Sequence, residues 1–503
     1  MIDPRTPVLV GAGQVMQRLD DPSQAREPID LLEDAARAAG ADARSTRSVL
    51  GMLDTIAVVD MVSWKYPDPG ALLGRRLGVE PRTTITTTLG GNSPQLLVNE
   101  LAATVARGDA RAVLIGGAEC VYTRWRARRE PKTWLDWTRA DDPPCPNVIG
   151  DPRPGTNDYE MAHTALAPTH IYPLFETAVR AANGRDVDDH QQLVSELWST
   201  FAAVSARNPY AWSRVPYSAA EIREPSPDNR VVTFPYVKRM CANIDVDQGA
   251  AVLLCSYETA RDLGVPDDRL VFPLGGADAH DHFFFSERRS LAASPGIAAA
   301  GRAVFEAAGT DANDVARFDL YSCFPSAVEI ALEALGLRGP DGGDPRPLTV
   351  TGGLAFAGGP ANNYPTHAIA AMVDACRRDP GSVGMVSAIG WYVTKHSIGL
   401  YSTTPPKHGF TRVEPARTQA EVDALPRRDP AGPYEGSATV EATAVVVERD
   451  GTPTVAIVST LTPDGRRALA NTGDTDAMED MTEKAWEGRT VKIRTDGTVN
   501  VLA

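Results

Sequence analysis

Short apolar runs alternate with segments of helical spacing through the first 120 residues. Two segments have the amphipathic spacing of helices, near Pro28–Ala39 and Pro94–Arg107. Four runs have the length of strands: Val8–Gly13, Thr55–Met61, Thr83–Leu89 and Ala112–Gly117. This alternation predicts a layered α/β domain. Because the last of these runs has no polar side chain, we expect that strand to be buried on both faces of its sheet.

The pattern changes after Tyr122. Residues 122–237 are rich in Trp, Arg and Pro, with amphipathic stretches at Tyr159–Asn183 and His190–Asn208. We interpret this region as a long, partly helical excursion out of the sheet. Strand and helix signals resume at Gly249–Leu263. A second α/β series then follows: Leu270–Leu274, Pro295–Ala308, Asp319–Cys323, Ala327–Leu335, Leu348–Thr351, Thr366–Cys376 and Val383–Ile389. The order of these elements suggests two similar halves.

The last hundred residues differ in composition. Residues 405–430 are rich in Pro, Arg and Glu, which is typical of a linker. Alternating Val and Thr positions, separated by Asp-Gly turns, then predict four strands of a small, open β barrel: Ala438–Glu448, Pro453–Thr462, Thr490–Arg494 and Thr498–Leu502. The predicted division is an N-terminal α/β half at 1–121 and 238–266, a loop domain at 122–237, a second half at 267–404, a linker at 405–430 and a β domain at 431–503.

Composition excludes several classes of protein. The chain has 503 residues, 43% hydrophobic and 23% charged, which predicts a folded protein with well-buried cores. A formal net charge of −15 argues against a nucleic-acid-binding protein, which needs a basic surface. We also find no Lys/Arg cluster typical of a membrane-surface helix. No stretch of about 18 apolar residues occurs, so we expect a cytoplasmic protein without a membrane span. The six cysteines lack Cys-x-x-Cys spacing, which favours free thiols.

Four sequence blocks carry the candidate chemistry. In chain order they are Ile85–Leu97 with the following Val113–Glu119, then Asp319–Ser326, Thr351–His367 and Val386–Gly399. Each resembles an active-site block of the thiolases, and the four occur in the order of that family. The resemblance covers residues 5–405.

This resemblance implies that the thiolase catalytic positions carry other residues here. The nucleophilic cysteine position falls at Gly91, the Gly-His-Pro position reads Gly358-Gly359-Pro360, and the second cysteine position falls at Ala388. A thiolase nucleophile is a thiolate that accepts the acyl group from CoA, and neither Gly91 nor Asn92 can accept it. The standard thiolase reaction is therefore the least favoured activity.

Four other side chains are candidate catalytic groups. Ser93 is a candidate nucleophile, although a role as helix N-cap also accounts for it. Tyr321 takes the place of a family residue that helps to hold the water of the oxyanion hole, so it is a candidate hydrogen-bond donor. Cys323 is a candidate beside it, with a buried small residue as the alternative. His396 is a candidate base or ligand contact, against a structural histidine or a surface pair with Lys395.

The loops of these blocks supply the candidate substrate-binding residues. One predicted loop carries two aromatic and two basic side chains: Trp391, Tyr392, Lys395 and His396. The residues assigned to substrate binding are Gly91, Asn92, Gly359, Asn362, Asn363, Gly390 and Lys395. No metal site is assigned, because the pair His280 and His282 lacks an identifiable third ligand. No cofactor is expected beyond a coenzyme A thioester as ligand or substrate.

The chain most closely resembles the thiolase-like proteins of type 1, relatives of sterol-carrier-protein thiolases and acetyl-CoA acetyltransferase homologues with an extra C-terminal β domain. That resemblance implies a five-layer αβαβα fold of two similar halves plus a small OB-like barrel. Two functions stay open. One is an acyl-CoA protein that performs non-thiolase acyl transfer or thioester hydrolysis through His396 or a bound water. The other is a non-catalytic CoA, lipid or acyl-carrier binding protein whose barrel recruits a protein partner.

The oligomeric state is also open. Thiolases associate through the strand that corresponds to Thr83–Leu89, and the Thr-rich sequence here is less apolar than a dimer interface usually is. We therefore expect a monomer or a dimer. The extra C-terminal domain is one candidate to cover that strand in a monomer.

Overall fold

The computed structural model describes residues 2–130, 134–337 and 346–503. Residues 131–133 of the predicted loop domain and 338–345 of the predicted second half lie outside the described residues, as does Met1. The strands are β1 (Pro7–Met16), β2 (Thr55–Val58), β3 (Thr83–Thr87), β4 (Ala112–Cys120), β5 (Val148–Ile149), β6 (Val231–Phe234), β7 (Tyr236–Val237), β8 (Asp247–Ser256), β9 (Phe272–His280), β10 (Val315–Asp319), β11 (Val383–Gly390), β12 (Lys395–Ser402), β13 (Thr411–Arg412), β14 (Gly436–Val447), β15 (Pro453–Leu461), β16 (Arg467–Thr472), β17 (Thr490–Asp496) and β18 (Val499–Leu502).

The helices connect and cover these strands. They are α1 (Pro28–Asp42), α2 (Pro69–Leu77), α3 (Ser93–Arg107), α4 (Val121–Arg129), α5 (Asp158–Ala162), α6 (Pro168–Ala182), α7 (Val187–Ser205), α8 (Ala219–Arg223), α9 (Tyr257–Asp262), α10 (Pro295–Ala308), α11 (Pro325–Ala334), α12 (Gly353–Phe356), α13 (Tyr364–Arg378), α14 (Pro415–Asp423) and α15 (Thr475–Glu483). Within the described ranges, no helix is both long enough and apolar enough to cross a membrane.

Two mixed sheets form the body of the protein. The first has the strand order β1-β8-β4-β2-β3-β5, and the second has the order β10-β11-β12-β9-β13. Helices α3 and α13 lie between the sheets, α1 and α2 cover the outer face of the first, and α10 covers the outer face of the second. The result is five layers, αβαβα, with apolar side chains buried at each interface.

Local sequence signals account for the main elements. Strand β4 is buried at every position, as its apolar sequence predicts. Helix α10 starts after Ser294, whose hydroxyl oxygen accepts the amide hydrogen of Ile297, and Pro295 is its first residue. It ends at Gly309, which has the left-handed backbone (φ 63°) that favours glycine.

The loop region covers the outer edge of the first sheet. Strand β5 pairs in parallel with the end of β3, and the amides of Thr86 and Thr88 donate to the carbonyl oxygens of Asn147 and Ile149, each at 2.9 Å. The Asn147 side-chain amide also donates to the Thr84 carbonyl oxygen at 2.9 Å. An uncovered edge strand offers its backbone groups to another chain, and this cover removes that opportunity. The covering segment comes from the loop region and not from the C-terminal β domain.

The C-terminal strands close into a barrel in the order β14-β15-β16-β18-β17, with β17 pairing back to β14. Strands β6 and β7 of the loop region extend this sheet beyond β14. Arg467 is fully buried and joins the barrel to the second half. Its guanidinium pairs with Glu441 at 2.7 Å and donates to the carbonyl oxygens of Phe285 and Arg288. The expectation of an open barrel was wrong, because β14 pairs with both β15 and β17.

The structure departs from the predicted elements at several places, including helices α2 and α14, which were not predicted. Leu348–Thr351 is not a strand, because the Asp319 carboxylate accepts the amides of Val350 and Thr351 at 2.9 and 3.1 Å. Lys395 and His396, which were predicted in a loop, begin strand β12. In the β domain, strand β16 and helix α15 were not predicted. The domain boundaries given above stay a prediction.

Candidate functional site

Loops from both halves meet at the start of α3. The chain turns through Gly91 into α3, while Tyr321 follows β10 and Ile389 lies near the end of β11. A Cβ atom on Gly91 would lie 2.5 Å from the Ile389 carbonyl oxygen and closer still to the Tyr321 hydroxyl. Only glycine fits at residue 91, because the Tyr321 hydroxyl fills the space in which another side chain would begin. Burial raises the pKa of Tyr321 well above its usual range, so the phenol stays protonated.

A buried amine lies beside this contact. The Lys395 Nζ donates to the carbonyl oxygens of Leu89 at 2.5 Å and Asp151 at 3.2 Å, and the residue is 5% exposed. Burial lowers the pKa of Lys395 to about 8, an effect that Asp151 opposes and Arg153 reinforces. The amine therefore changes its charge close to physiological pH.

The turn that leads into Lys395 is strained. Trp391 (φ 58°) and Val393 (φ 49°) both have left-handed backbone, which is rare for a β-branched residue such as valine. The Tyr172 hydroxyl holds the turn, since it donates to the Trp391 carbonyl oxygen at 2.9 Å and accepts the Val393 amide at 3.3 Å. Such strain persists only where the surrounding structure fixes the backbone. Here the surrounding structure fixes the position of Lys395.

Asn92, and not Ser93, is the N-cap of α3. Ser93 is the first helical residue, and its hydroxyl donates to the Thr88 carbonyl oxygen at 3.2 Å. The Asn92 side chain makes no capping hydrogen bond, and its buried Oδ1 accepts from no group among the described residues. That oxygen lies against Gly390, on the side where Lys395 also packs. A buried acceptor without a donor is uncommon and often marks a place where a water or ligand binds.

Two predicted binding residues instead hold loops together. The Asn362 side chain accepts the Gly90 amide at 3.0 Å and donates to the Asp60 carbonyl oxygen at 2.9 Å. The Asn363 side chain donates to a backbone carbonyl of β4 at 2.6 Å. These hydrogen bonds place the loop before α13 against the loop before α3. Both side chains therefore hold the loops of the site in position.

His396 lies on the opposite face of β12 from Lys395, because successive strand residues face opposite sides of the sheet. Its Nε2 is 2.9 Å from the Asp281 carboxylate, to which the Ser294 hydroxyl also donates at 2.5 Å. Hydrogen bonding and charge interaction with His396 hold the pKa of Asp281 below its usual value although burial acts the other way. The structure does not bring His396 together with Gly91 and Tyr321.

Cys323 lies two residues after Tyr321 and is buried. Burial raises the pKa of its thiol to about 12, so the thiolate form is scarce at neutral pH. The Cys323 carbonyl oxygen accepts the amide of Ala242 at 2.9 Å. This hydrogen bond connects the site to the segment that follows β7.

A groove opens in the loop region next to this connection. Its volume is about 570 Å³, and it lies between α4, the segment after β7 and α12. Its cationic side chains are Arg126, Arg129, Lys238 and Arg239, and its rings are Tyr122, Trp125, Trp212, Tyr217 and Phe356. Arg239 lies over the Tyr217 ring, 4.3 Å from its centroid, which holds the guanidinium against the wall. Asp228 and Asp245 are the acidic side chains of its lining.

The floor of the groove is bonded to the loops of the site. The Ala242 amide donates to Cys323, and the Gly359 amide donates to the Asn243 carbonyl oxygen at 2.8 Å. Residues 241–243 thus connect the loop of Tyr321 and Cys323 with the loop of Gly359. The groove and the site are neighbours separated by one layer of backbone.

Comparisons with known proteins identify the family. A family model for the additional C-terminal domain of thiolase-like protein type 1 matches residues 418–498. A monomeric SCP2-thiolase like protein type 1 from Mycobacterium smegmatis is 33% identical, the match covers 100% of both chains, and the TM-score is 0.85. The chain belongs to the thiolase-like protein type 1 family.

More distant structures share the fold of this thiolase-like protein type 1 chain. Acetyl-CoA acetyltransferase from Syntrophomonas wolfei is 15% identical with a TM-score of 0.56, and its match covers 80% of this chain and 100% of that one. The aldolase Ltp2-ChsH2(DUF35) is 19% identical with a TM-score of 0.59, over 80% of this chain and 98% of that one. A search of curated proteins found no match. The predicted thiolase fold with an added C-terminal barrel is confirmed.

The thiolase-like protein type 1 fold also gathers three metal-ligating side chains. Glu176, His190 and Glu329 offer ligand atoms within 4.8 Å of one another. His190 Nε2 is 2.6 Å from Glu176, whose other oxygen accepts from the Tyr236 hydroxyl at 2.5 Å. Arg185 faces Glu329 at 3.4 Å. Glu176 and His190 are therefore bonded to each other, Glu176 also to Tyr236, and Glu329 is paired with Arg185.

Sequence reasoning did not find the groove. The available signal was four arginines within the nine residues of α4: Arg124, Arg126, Arg128 and Arg129. These arginines do not form the basic face of an amphipathic membrane-surface helix, so their number alone did not indicate a binding site. The groove forms only because the fold brings Lys238 and Arg239, more than a hundred residues later in the chain, opposite α4.

Proposed function

We propose that the protein binds a coenzyme A thioester of lipid metabolism in the groove of the loop region and does not carry out the thiolase reaction. The observation that carries this proposal is the groove itself. Four cationic side chains and five aromatic rings line one opening. The floor of that opening is bonded to the loops of Tyr321 and Gly359.

The chemistry of coenzyme A fits this lining. Its phosphate groups match the guanidinium and ammonium groups, which form charge-assisted hydrogen bonds with phosphate oxygens. Its adenine ring matches the aromatic side chains, which stack on flat rings. Its thin pantetheine arm would lie along the groove floor at Ala242 and Asn243, whose backbone is bonded to the loops of Cys323 and Gly359.

A binding role is better supported than catalysis. A thiolate at residue 91 is excluded by the Tyr321 hydroxyl, and the Cys323 thiol is protonated at neutral pH. Hydrolysis or acyl transfer through His396 is less well supported, because that side chain is bonded to Asp281 on the other face of β12. Among the candidate site residues, Lys395 has a pKa near physiological pH, and its amine is already bonded to two carbonyl oxygens.

Isothermal titration with CoA and acetyl-CoA tests this proposal. Lys238 is exposed and lines the groove, so Lys238→Glu should weaken binding about tenfold by placing a like charge beside the phosphates. Lys407→Glu changes the net charge by the same amount on an exposed turn outside the groove, and it should bind like wild type. Absence of binding to the wild type, or equal affinities for the two variants, would overturn the proposal.

A further inference from the structure

The exposed face of α4 differs from the rest of this acidic protein. The whole chain carries a net charge of −15, whereas α4 has four arginines and no acidic residue. Two of the four are engaged by backbone oxygens: Arg124 donates to the Val62 carbonyl at 3.2 Å, and Arg126 donates to that of Leu19 at 2.7 Å. These bonds fix the helix in place.

The other two arginines point outward. Arg128 and Arg129 are exposed, and neither forms an ion pair with any residue that the structure describes. Arg128 lies over the Trp125 ring, 5.9 Å from its centroid. The outer surface of α4 therefore presents concentrated positive charge on a protein that is negative overall, a distribution that attracts an acidic partner and accelerates its association.

Apolar side chains stand beside these charges. Trp125 and Ile244 are each 47% exposed, and they line both the groove and a second depression of about 220 Å³. Arg128 lines the second depression but not the groove. Tryptophan and arginine are enriched among the hot-spot residues of protein–protein interfaces, so an exposed tryptophan flanked by arginines is typical of such a surface.

Resting on the function proposed above, we infer that the α4 face is the docking surface for an acidic carrier protein that delivers its thioester on a phosphopantetheine arm. The arm and its phosphate would enter the groove, as the same part of coenzyme A would. The acidic helix of the carrier would lie on Arg128 and Arg129, with an apolar side chain in the depression beside Trp125.

The shape of the face favours a carrier over the alternatives. A free CoA molecule in the groove leaves the depression on the other side of Trp125 uncovered, whereas a protein covers both. An anionic membrane is a poorer fit, because the cationic lining is recessed in a groove that also contains Asp228 and Asp245. A flat array of phosphate groups would meet these carboxylates without reaching the groove floor.

Fluorescence anisotropy with a labelled holo acyl carrier protein tests the inference on the full chain. We expect saturable binding that weakens at least tenfold in Arg128→Glu and falls as salt rises from about 50 to about 300 mM. Arg449→Glu makes the same charge change on an exposed turn of the barrel and should leave binding unchanged. CoA affinity, measured by titration, should be the same in Arg128→Glu as in wild type, because Arg128 lies outside the groove.

Three results would overturn the inference while leaving CoA binding intact. They are no carrier binding by a protein that binds CoA, carrier binding that is indifferent to Arg128→Glu, and binding to phosphatidylglycerol vesicles in place of the carrier. Carrier binding lost in Arg449→Glu would move the docking surface to the barrel and also overturn it. Failure to bind either CoA or the carrier would overturn the proposed function together with the inference.

Discussion

The Tyr321 hydroxyl occupies the space in which a side chain of residue 91 would begin. A Cβ at this position would lie within 2.8 Å of the Tyr321 ring carbon that bears the hydroxyl, and nearer to the hydroxyl itself. The two residues come from different halves of the fold, one before α3 and the other after β10. Each therefore constrains the other, and a cysteine cannot be placed at residue 91 while Tyr321 keeps its position.

Substitution of Gly91 should show this coupling. We expect Gly91→Ala to lower the free energy of unfolding by about 1–3 kcal/mol, as overpacking a buried site does. In a Tyr321→Phe background the same substitution should cost less, because the closest atom is gone. Chemical denaturation of the wild type, both single variants and the double variant gives the coupling energy. Strictly additive free energies would show that the two residues do not compete for space.

Deprotonation of Lys395 should make the free energy of unfolding depend on pH above neutrality. Its pKa is about 8 in the folded protein, against an ordinary value of 10.5. Between these values the unfolded chain holds a proton that the folded protein lacks, so this residue makes stability rise with pH from about 8 to about 10.5. Below pH 8 both states are protonated and the dependence disappears.

Denaturation of wild type and Lys395→Met across this range isolates the effect. The stability of the wild type relative to the variant should increase as pH rises through the window. A relative stability that is flat, or that falls, would contradict a depressed pKa for Lys395. A direct check is the ¹³Cε resonance of Lys395, which should titrate near pH 8.

We expect His396 to contribute to the stability of the fold and not to CoA binding. His396→Ala removes a hydrogen bond from the buried Asp281 carboxylate, and we expect a loss of about 1–3 kcal/mol in the free energy of unfolding. CoA affinity should stay within about twofold of wild type, because the side chain faces away from Lys395 and Tyr321. A variant of unchanged stability with strongly weakened CoA binding would instead place His396 at the ligand.

The protein should be a monomer. The backbone groups at the end of β3 are already paired with Asn147–Ile149, so this edge offers little to a second chain. Light scattering coupled to size-exclusion chromatography should give the mass of a single chain over a wide concentration range. A dimer that persists on dilution would show that another surface carries the association.

More of the fold than of the candidate site could be predicted from the sequence. Apolar runs such as Ala112–Gly117 and segments of helical spacing such as Pro295–Ala308 are local, so they predicted strand β4 and helix α10 correctly. The four blocks supplied the family because their order is also a property of the chain. Strand β16 was missed because its sequence, Arg467–Thr472, places a charged residue and an asparagine where the tertiary structure buries them.

The site depends on contacts that no local pattern contains. Lys395 and His396 are adjacent in sequence, and their different roles follow from the strand register that turns one toward Leu89 and the other toward Asp281. The groove joins α4 to residues 238–245 through the fold alone. The sequence therefore assigned the candidate residues to loops, and it could not assign the direction in which each side chain points.

The central claim is that the protein holds a CoA thioester without consuming it. Titration of the wild type with acetyl-CoA, with free thiol measured in the same cell, tests it most directly. We predict saturable binding at one site per chain, tenfold weaker in Lys238→Glu, with no release of thiol above the uncatalysed rate. Turnover of acetyl-CoA with thiol release would contradict the claim, and so would a protein that shows no binding.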